Sequence, residues 1–363
     1  MKVVLAPTNE GFGHAQRAEA IASRLIKMED TECLVFSDQK RVNYLSTLNL
    51  KYSSTLHGIK YVYRRSGDLN TPATFFRLVF ESTLFPIDFI RALRMGREYD
   101  VFVNDYNPHL TMIPGMRTIN VSHYLPYKYR WSDLRMNFYS TAVERPVMFA
   151  ERVRSLLRLS ESFVMDLRPE LVDCERIFPP IARDVTRNKS EIREELGLSK
   201  RDRLVMVTGR PYHNYGEGGN DDFDIYVEVA REHPDIHFLV ALFGLDFREF
   251  EGGAHENMRF KSYIPDIHNY LNASDVIVAR AGFGTISEAV IYGVPLIIFQ
   301  ARGHMEKRKN ALLVQDYDYG IIAENLEKDI VNVLEESEYK NHELIKLGNG
   351  LNYFVKILNG TYP

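Results

Sequence analysis

Cysteine is scarce in this sequence, with only Cys33 and Cys174 among 363 residues. The two lie far apart and show none of the spacings by which cysteines bind metal ions, which argues against a disulfide scaffold and a cysteine-ligated metal site. We predict that both are free thiols in a reducing compartment. Proline and glycine are too few to indicate a disordered chain.

Long apolar runs are missing as well. No run approaches the ~20 residues that a membrane-spanning helix needs. The apolar run before Pro7, Val3 to Ala6, is only four residues long, too short for a signal peptide. The sequence therefore predicts a cytoplasmic protein, with peripheral attachment to a membrane left open.

Charge is unevenly distributed along the chain. Residues 1–190 carry 27 Lys and Arg against 21 Asp and Glu, a net +6, whereas residues 191–363 carry 18 against 28, a net −10. Halves of opposite sign indicate separate domains with different partners. The alternative is chance together with two acidic surface helices.

Apolar runs typical of strands alternate with helical patterns along the chain. Such alternation predicts βαβ units and parallel sheets. Runs such as DVIVA and PLIIF are apolar on both faces, as strands covered by helices on both sides must be. The predicted strands are residues 2–6, 32–36, 100–103, 118–122, 162–165, 204–208, 237–242, 275–279 and 295–299, and predicted helices include 15–27, 224–232, 285–292 and 309–314.

The pattern restarts near Leu204, where a strand, a glycine-rich loop and a helix follow one another again. Residues 177–190, IFPPIARDVTRNKS, carry a proline pair and a charge-rich run and form the predicted linker. We therefore predict an α/β protein of two Rossmann-like, doubly wound domains that face each other across a cleft, where open sheets bind their ligands. The predicted domains are 1–185 and 190–345, with a C-terminal helix at about 345–363 packing back on the first.

The stretch ARAGFGTISEAVIYGVP, residues 279–295, contains a candidate anion site. Gly282 and Gly284 follow a predicted strand and Thr285 opens a helix, so the backbone can approach a ligand closely. The positive end of the helix suits a diphosphate, and Glu288 can accept hydrogen bonds from two ribose hydroxyls. The alternative is a plain strand–loop–helix corner in which Glu288 is only an acid near a helix N-terminus.

The longer stretch of residues 263–320 resembles the donor-binding half of GT-B glycosyltransferases. It is most similar to the group containing the N-acetylglucosaminyltransferase that makes peptidoglycan lipid II, and to archaeal relatives of that group. The opening EGFGHAQRAEAIA matches the first loop of the same group, Gly-x-Gly-His-x-x-Arg. The group's later motifs stand here at Asp275, Gly282/Thr285/Glu288, Gly293/Pro295 and Asn310/Ala311.

This resemblance implies a set of donor contacts. The backbone of Ile264 is expected to receive the base, Glu288 to hold the ribose, and Glu306 to lie near the sugar or ribose. Lys307, where relatives often have Gln, and the loop TGRPYHNYGEGG after the strand 204–208 depart from the family pattern. The implied contacts of the diphosphate are Gly282, Phe283, Gly284 and Thr285, with Gly209 and Arg210 as further candidates.

Arg210 has two interpretations. Its positive charge would stabilise a UDP leaving group as negative charge develops on it. The alternative is an ordinary surface arginine.

The resemblance also places a functional histidine in the first loop. Gly11 and Gly13 are expected to bring this loop close to the acceptor and to the anomeric carbon of the donor, with His14 at the mouth of the cleft. A neutral imidazole can take a proton from an attacking hydroxyl. Without the family match, a histidine after glycines would be interpreted as a helix cap or loop residue.

Three more polar residues are candidates near His14. Glu10 and Asp105 are alternative bases, or carboxylates that polarise His14. His123, at the end of the next predicted strand, is expected to line the acceptor pocket, although strand-end positions also supply simple caps.

Two Asp-x-Asp strings raise the question of a divalent cation. Asp222-Phe-Asp224 starts a predicted helix and Asp316-Tyr-Asp318 precedes Gly320, and neither ends a predicted strand. We therefore interpret them as helix N-terminal acids and a turn, and expect neither a metal nor a cofactor.

Residues 61–97 interleave aromatic side chains with arginines. A basic amphipathic helix of this kind can lie in a membrane interface, as in members of the family that glycosylate lipids. The alternative is helices that pack on the sheet. The apolar set is Phe75, Phe76, Val79, Phe80 and Leu84, and the arginines are Arg64, Arg65, Arg77, Arg91, Arg94 and Arg97.

Together these features predict an inverting, metal-independent glycosyltransferase that moves a hexosyl or N-acetylhexosaminyl group from a UDP-sugar to an acceptor hydroxyl, with a membrane lipid as one candidate acceptor. Rival interpretations are a nucleotide-sugar hydrolase or 2-epimerase on the same fold and a non-catalytic nucleotide-sugar binding protein. Nucleic acid is not an expected partner, because overall charge is negative and the glycine loops would go unexplained.

Overall fold

The chain divides into two compact units, each built around one parallel sheet. Of the described residues, unit 1 contains those up to Arg183 and from Asn349 onward, and unit 2 contains those from Asp184 to Gly348. The computed structural model describes residues 1–8, 13–45, 50–53, 56–57, 62, 70–122, 161–167, 176–208, 222–241, 254–299, 305–336 and 348–361.

Unit 1 contains a seven-stranded sheet. Its strands are β1 (Lys2–Pro7), β2 (Glu32–Phe36), β3 (Lys51–Ser53), β4 (Val101–Asp105), β5 (Arg117–Ser122), β6 (Glu161–Met165) and β7 (Ile177–Phe178). The strand order β3-β2-β1-β4-β5-β6-β7 reverses direction at β1, as in a doubly wound fold. The accompanying helices are α1 (Gly13–Leu25), α2 (Gln39–Leu45), α3 (Thr71–Ser82), α4 (Phe85–Met95) and a 3-10 turn at Pro108–Leu110.

Helices cover both faces of this sheet. Alternate strand residues point to opposite faces, so Phe36 and Phe102 pack with Ala92 of α4 on one side. On the other side, Val35 packs with Ala15 of α1. Because both faces are covered, polar side chains concentrate at the carboxyl edge of the strands.

Unit 2 repeats this architecture with six strands. These are β8 (Arg203–Thr208), β9 (Ile236–Ala241), β10 (Met258–Lys261), β11 (Val276–Arg280), β12 (Leu296–Phe299) and β13 (Gly320–Ile322), in the order β10-β9-β8-β11-β12-β13. A Cβ on Gly320 would lie 1.8 Å from the carbonyl oxygen of Leu296, so only glycine lets β13 pair with β12. The helices are α5 (Lys189–Glu195), α6 (Asp222–Glu232), α7 (Ile267–Ala273), α8 (Phe283–Tyr292), α9 (Met305–Asp316) and α10 (Leu326–Glu335).

The last helix, α11 (Leu351–Leu358), returns to unit 1. The Arg117 guanidinium donates to the carbonyls of Leu358 at 2.7 Å and Ile357 at 2.8 Å, and so caps the C-terminus of α11. At the other end of the helix, Gly350 donates its N–H to the carbonyl of Pro180. A Cβ on Gly350 would lie 1.9 Å from the Pro179 oxygen, which explains the glycine.

Only the second part of the predicted linker, residues 177–190, connects the two units. Residues 177–178 form the edge strand β7, and Ile181 and Arg183 are buried. The side chains become largely exposed only after Arg183, and Asn188 then begins α5 with a reciprocal capping box to Glu191.

No helix among the described residues is long and apolar enough to cross a membrane. Cys33 is a free thiol on β2, and burial raises its pKa to about 12. A thiol in that state is poorly reactive. Cys174 lies outside the described residues.

Candidate active site

The candidate catalytic residues of unit 1 meet at the carboxyl edge of its sheet. Strands β1 and β4 are neighbours, with Pro7 opposite Asp105, and the N–H of Thr8 donates to the Asp105 carbonyl at 3.0 Å. Helix α1 begins at Gly13, so His14 stands in its first turn. Open α/β sheets bind ligands at this edge.

His14 and Asp105 form a direct pair. The His14 Nδ1 atom lies 2.9 Å from Asp105 Oδ1, and both residues are buried, with 7% and 6% of their surfaces exposed. When a carboxylate accepts the hydrogen of Nδ1, the neutral ring carries its lone pair on Nε2. The pair therefore fits a proton acceptor whose ring is oriented by a carboxylate.

Arg17 completes this cluster. Its Nη1 donates to the same Asp105 oxygen at 2.8 Å from a side chain that is 4% exposed. Arg17 stands three residues after His14, so one helix face presents both groups to the carboxylate. Arg17 is the arginine of the first-loop motif Gly-x-Gly-His-x-x-Arg, and its three-residue spacing from His14 is the sequence signal for this contact.

The loop after β4 holds Asp105 in place by buried amide contacts. Asn104 donates through Nδ2 to Asn120 Oδ1 at 2.8 Å and to the Asn107 carbonyl at 3.0 Å. Asn107 donates through Nδ2 to the Ala6 carbonyl at 2.7 Å. Between them, Tyr106 adopts φ +64°, which costs a non-glycine residue about 1 kcal/mol. Such strain persists only where neighbouring contacts fix the backbone, and it is frequent at functional sites.

The predicted donor loop of unit 2 has the geometry of an anion site. Gly282 is the N-cap of α8, with φ −83° and ψ 128°. Because glycine has no side chain, this residue gives the first N–H groups of the helix no side-chain hydrogen bond. Asn310 of α9 donates to the Ala281 carbonyl at 3.1 Å and fixes the loop from behind. The helix ends at Gly293, which has the left-handed φ of +69°.

Asp275 fixes the start of β11. Burial opposes its charged form, but hydrogen bonds from the Leu204 N–H and the Arg193 guanidinium, with the nearby Lys189 ammonium, hold the pKa of this carboxyl below its usual range. The Leu204 N–H lies 2.8 Å from Asp275 Oδ2. The carboxylate therefore ties α5, β8 and β11 together at the end of β11 opposite the donor loop.

The other donor candidates differ in exposure. The side chains of Phe283 and Ile264 lie in the core, so a ligand could contact these two residues only through backbone atoms. In the described part of the chain, no backbone hydrogen bond engages the N–H or C=O of Ile264. Glu288 is 3% exposed in the second turn of α8, and Glu306 is half-buried in the first turn of α9.

Two predicted donor residues stand beside Gly282 at the start of the helix. Gly284 and Thr285 both lie in the first turn of α8 and are half-buried. Gly13, assigned to the first loop, is the first residue of α1. Glu10, Gly11, His123, Gly209 and Arg210 lie outside the described residues.

The Asp-x-Asp strings lie at helix ends. Asp222 is the first residue of α6, whereas Asp316 is the last residue of α9 and Asp318 adopts φ +54° in the following turn. Within the described ranges, no group of three His, Cys, Asp or Glu side chains is arranged to hold a metal ion.

Residues 242–349 match the glycosyltransferase family 28 C-terminal domain. An uncharacterized glycosyltransferase of Methanosarcina acetivorans is 31% identical over 96 residues, covering 25% of each chain. The UDP-N-acetylglucosamine–N-acetylmuramyl-(pentapeptide) pyrophosphoryl-undecaprenol N-acetylglucosamine transferase of Thermosipho melanesiensis is 22% identical over 160 residues, covering 42% of this chain and 45% of the relative. The chain thus spans less than half the length of these curated relatives.

Solved structures match the whole chain in fold. The glycosyltransferase SnogD from Streptomyces nogalater matches with a TM-score of 0.63 at 14% identity, over 99% of both chains. A putative UDP-N-acetylglucosamine 2-epimerase from Listeria monocytogenes matches with a TM-score of 0.58 at 14% identity, over 99% of this chain and 96% of the other. The chain therefore has the GT-B fold and, in residues 242–349, the sequence pattern of the glycosyltransferase family 28 C-terminal domain, which confirms the predicted fold class and resemblance and supports a glycosyltransferase.

Proposed function

We propose that the protein is an inverting, metal-independent glycosyltransferase that moves a sugar from a UDP-sugar to an acceptor hydroxyl. The observation that carries this proposal is the 2.9 Å contact between His14 and Asp105. A carboxylate-oriented imidazole is a recurrent device for activating a hydroxyl nucleophile.

In the proposed step, His14 Nε2 takes the proton of the acceptor hydroxyl while that oxygen attacks the anomeric carbon. The bond from the anomeric carbon to the UDP oxygen breaks in the same displacement, so the configuration at the anomeric carbon inverts. Asp105 stabilises the imidazolium that forms, and its contact with Arg17 keeps the carboxylate in position. The proton leaves to solvent before the next turnover.

The donor loop supports a nucleotide diphosphate as leaving group. The N-terminus of α8, which has no side-chain cap at Gly282, offers backbone N–H groups and the positive end of a helix to the phosphates as charge develops on them. Glu288 is assigned to the ribose hydroxyls and the backbone of Ile264 to the base. Glu306 is assigned to the sugar or ribose.

The catalytic part of the proposal is tested by His14→Ala. We expect turnover to fall by about 10²–10⁴, the usual contribution of a general base, with the Kd of UDP nearly unchanged because the nucleotide contacts are assigned to unit 2. Asp105→Asn, which keeps the shape and removes the charge, should lower turnover in the same direction. Normal turnover in His14→Ala would reject His14 as the base.

The rival activities can be separated in the same assay. A putative 2-epimerase shares the fold of this chain, so the fold alone does not distinguish sugar transfer from epimerisation. Incubation with UDP-N-acetylglucosamine and no acceptor should yield little free sugar and no inversion at C2. Rapid release of sugar would favour a hydrolase, C2 inversion an epimerase, and UDP binding without any turnover a non-catalytic binding protein.

For the acceptor, we propose a lipid-linked hydroxyl reached by peripheral attachment to a membrane. The printed name of the Thermosipho relative includes a pyrophosphoryl-undecaprenol. In this chain, Phe76 and Phe80 of α3 are 73% and 69% exposed, and Val79 lies on the same helix face at 52%. The exposure of these three side chains supports the interpretation that this face of α3 lies in a membrane interface.

Helix α4 also exposes apolar side chains. Its Ile87 and Ile90 are 42% and 50% exposed, and Arg94 and Arg97 are exposed near its C-terminal end. Each arginine near an anionic bilayer contributes about 1 kcal/mol, and apolar side chains inserted into the headgroup region add to that attraction.

Vesicle co-sedimentation tests this attachment. Wild-type protein should bind vesicles of phosphatidylglycerol and phosphatidylcholine at low salt and release as the screening length falls to about 3 Å at 1 M salt. Phe76→Ser with Phe80→Ser should abolish binding, whereas Leu312→Ser, at a 40% exposed site of unit 2, should not. If the double variant still binds vesicles, the attachment does not depend on Phe76 and Phe80. If the wild type does not bind vesicles, a soluble acceptor is favoured.

A further inference from the structure

A buried carboxylate joins α4 to the loop that follows the catalytic strand. Asp88 is fully buried in the first turn of α4. Its Oδ1 lies 2.8 Å from His57 Nδ1, and its Oδ2 accepts from the His57 N–H at 2.8 Å and lies 3.2 Å from His109 Nε2. Arg91 Nη1 stands 3.8 Å from Oδ1.

The two histidines connect Asp88 to different segments of the chain. His57 lies just after β3, whereas His109 belongs to the 3-10 turn only four residues after Asp105. The His109 ring stacks on Phe85 of α4, with centroids 4.0 Å apart and planes at 4°. Among the described residues, its Nδ1 has no hydrogen-bond partner, so Asp88 supplies the polar contact of the ring.

This link bears on the strained backbone beside Asp105. Tyr106, at φ +64°, is kept in that conformation only if the chain is fixed on both sides. Strand β4 fixes the preceding side, and Asn107 and His109 fix the following side. Without the His109 anchor, Asn107 alone would hold the following side, and the Tyr106 backbone would be less firmly fixed.

We propose that His109, held by Asp88, is a positioning residue for the His14–Asp105 pair. The inference rests on the proposed function, in which that pair takes the proton of the acceptor. Asp88 and His109 touch neither His14 nor substrate in this role, but they set the direction in which Asp105 presents its oxygen to the imidazole.

Two matched variants separate positioning from stability. His109→Phe keeps an aromatic ring against Phe85 and removes the Nε2 contact with Asp88. His57→Phe removes a contact from the same carboxylate and leaves the catalytic loop anchored. We expect kcat to fall by about 10- to 100-fold in His109→Phe at an unchanged KM for the UDP-sugar, the scale of a misplaced catalytic group. His57→Phe should stay within about twofold of wild type.

A spectroscopic readout needs no turnover. In protein labelled with ¹⁵N-histidine, the His14 ring resonances, which report its contact with Asp105, should shift in His109→Phe and stay in place in His57→Phe. His109→Gln, which retains a donor, should restore both kcat and the resonances. If His109→Phe fails to fold, His109→Asn, polar but too short to reach Asp88, gives the same comparison.

Equal losses of kcat in both variants, in proportion to their melting temperatures, would make Asp88 and its histidines merely structural and overturn the proposal. Unmoved His14 resonances in His109→Phe would do the same. Full turnover in His14→Ala would instead reject His14 as the base. That failure can be told apart from failure of the present proposal, because the resonance comparison still reports whether His109 positions the His14–Asp105 pair.

Discussion

Replacing Gly282 with alanine is expected to weaken the binding of UDP and leave the fold intact. The backbone at Gly282, with φ −83° and ψ 128°, is one that any residue adopts. A Cβ there would have the Arg280 carbonyl oxygen, 4.0 Å away, as its nearest neighbour outside adjacent residues. Because alanine loses less conformational freedom than glycine on folding, the free energy of unfolding should stay unchanged or rise by about 0.4–1 kcal/mol.

The cost of this change falls on the ligand. A diphosphate at the N-terminus of α8 must bring its oxygens to about 2.9 Å from backbone N–H groups, and the added methyl group obstructs that approach. Loss of one charge-assisted hydrogen bond costs about 1.5–3 kcal/mol. The Kd of UDP should therefore rise by about 10- to 150-fold.

Isothermal titration calorimetry with UDP measures this effect directly. Gly96→Ala, also at a backbone without positive φ but in unit 1, serves as the matched control and should bind UDP like the wild type. If Gly282→Ala binds UDP as tightly as the wild type and melts at the same temperature, the diphosphate does not lie on this loop.

Three further changes test other parts of the chain. Glu288→Gln should weaken UDP binding by about tenfold, roughly the contribution of one charge-assisted hydrogen bond, and should change the binding of 2′-deoxy-UDP less; equal losses for both nucleotides in calorimetry would remove Glu288 from the ribose site. Arg117→Ala should lower the free energy of unfolding, measured in urea, by about 1–3 kcal/mol because α11 loses its cap. Arg117→Lys should lower it less. An unchanged urea midpoint in Arg117→Ala would show that the cap does not stabilise α11. Asp275 contributes stability that is present above the pKa of the unfolded chain, ~3.9, and is lost as pH falls through the lower pKa of the folded state. Asp275→Asn should therefore be less stable than the wild type at pH 7 and show a weaker acid dependence in urea titrations between pH 2 and 7; parallel curves would contradict this.

Sequence patterns located the longer strands because most of these contain a run of three or four apolar residues. Every predicted strand is present, with ends that differ by at most two residues. Strands β3, β7, β10 and β13, of two to four residues each, were not predicted because such short segments show no clear period. Pairing with a neighbour, not local propensity, makes them strands.

The candidate site was predictable where its residues lie together in the chain. The Gly282–Glu288 loop and His14 stand in contiguous motifs, whereas Asp105 was one of two carboxylates, with Glu10, that could face His14. The contact of Asp105 with Arg17 joins residues 88 apart in the sequence. His109 gave no signal, because its role depends on a buried partner in α4 that only tertiary packing identifies.

The return of α11 to unit 1 has a consequence for synthesis of the chain. Residues 184–348, 165 in all, separate the last strand of unit 1 from the helix that completes it. At about 5–20 residues per second on a ribosome, unit 1 waits roughly 8–33 s for α11, longer than many domains need to fold. Until then its edge near Arg117 and Pro180 is uncovered, and we expect nascent unit 1 to engage chaperones at that edge while unit 2 is being made.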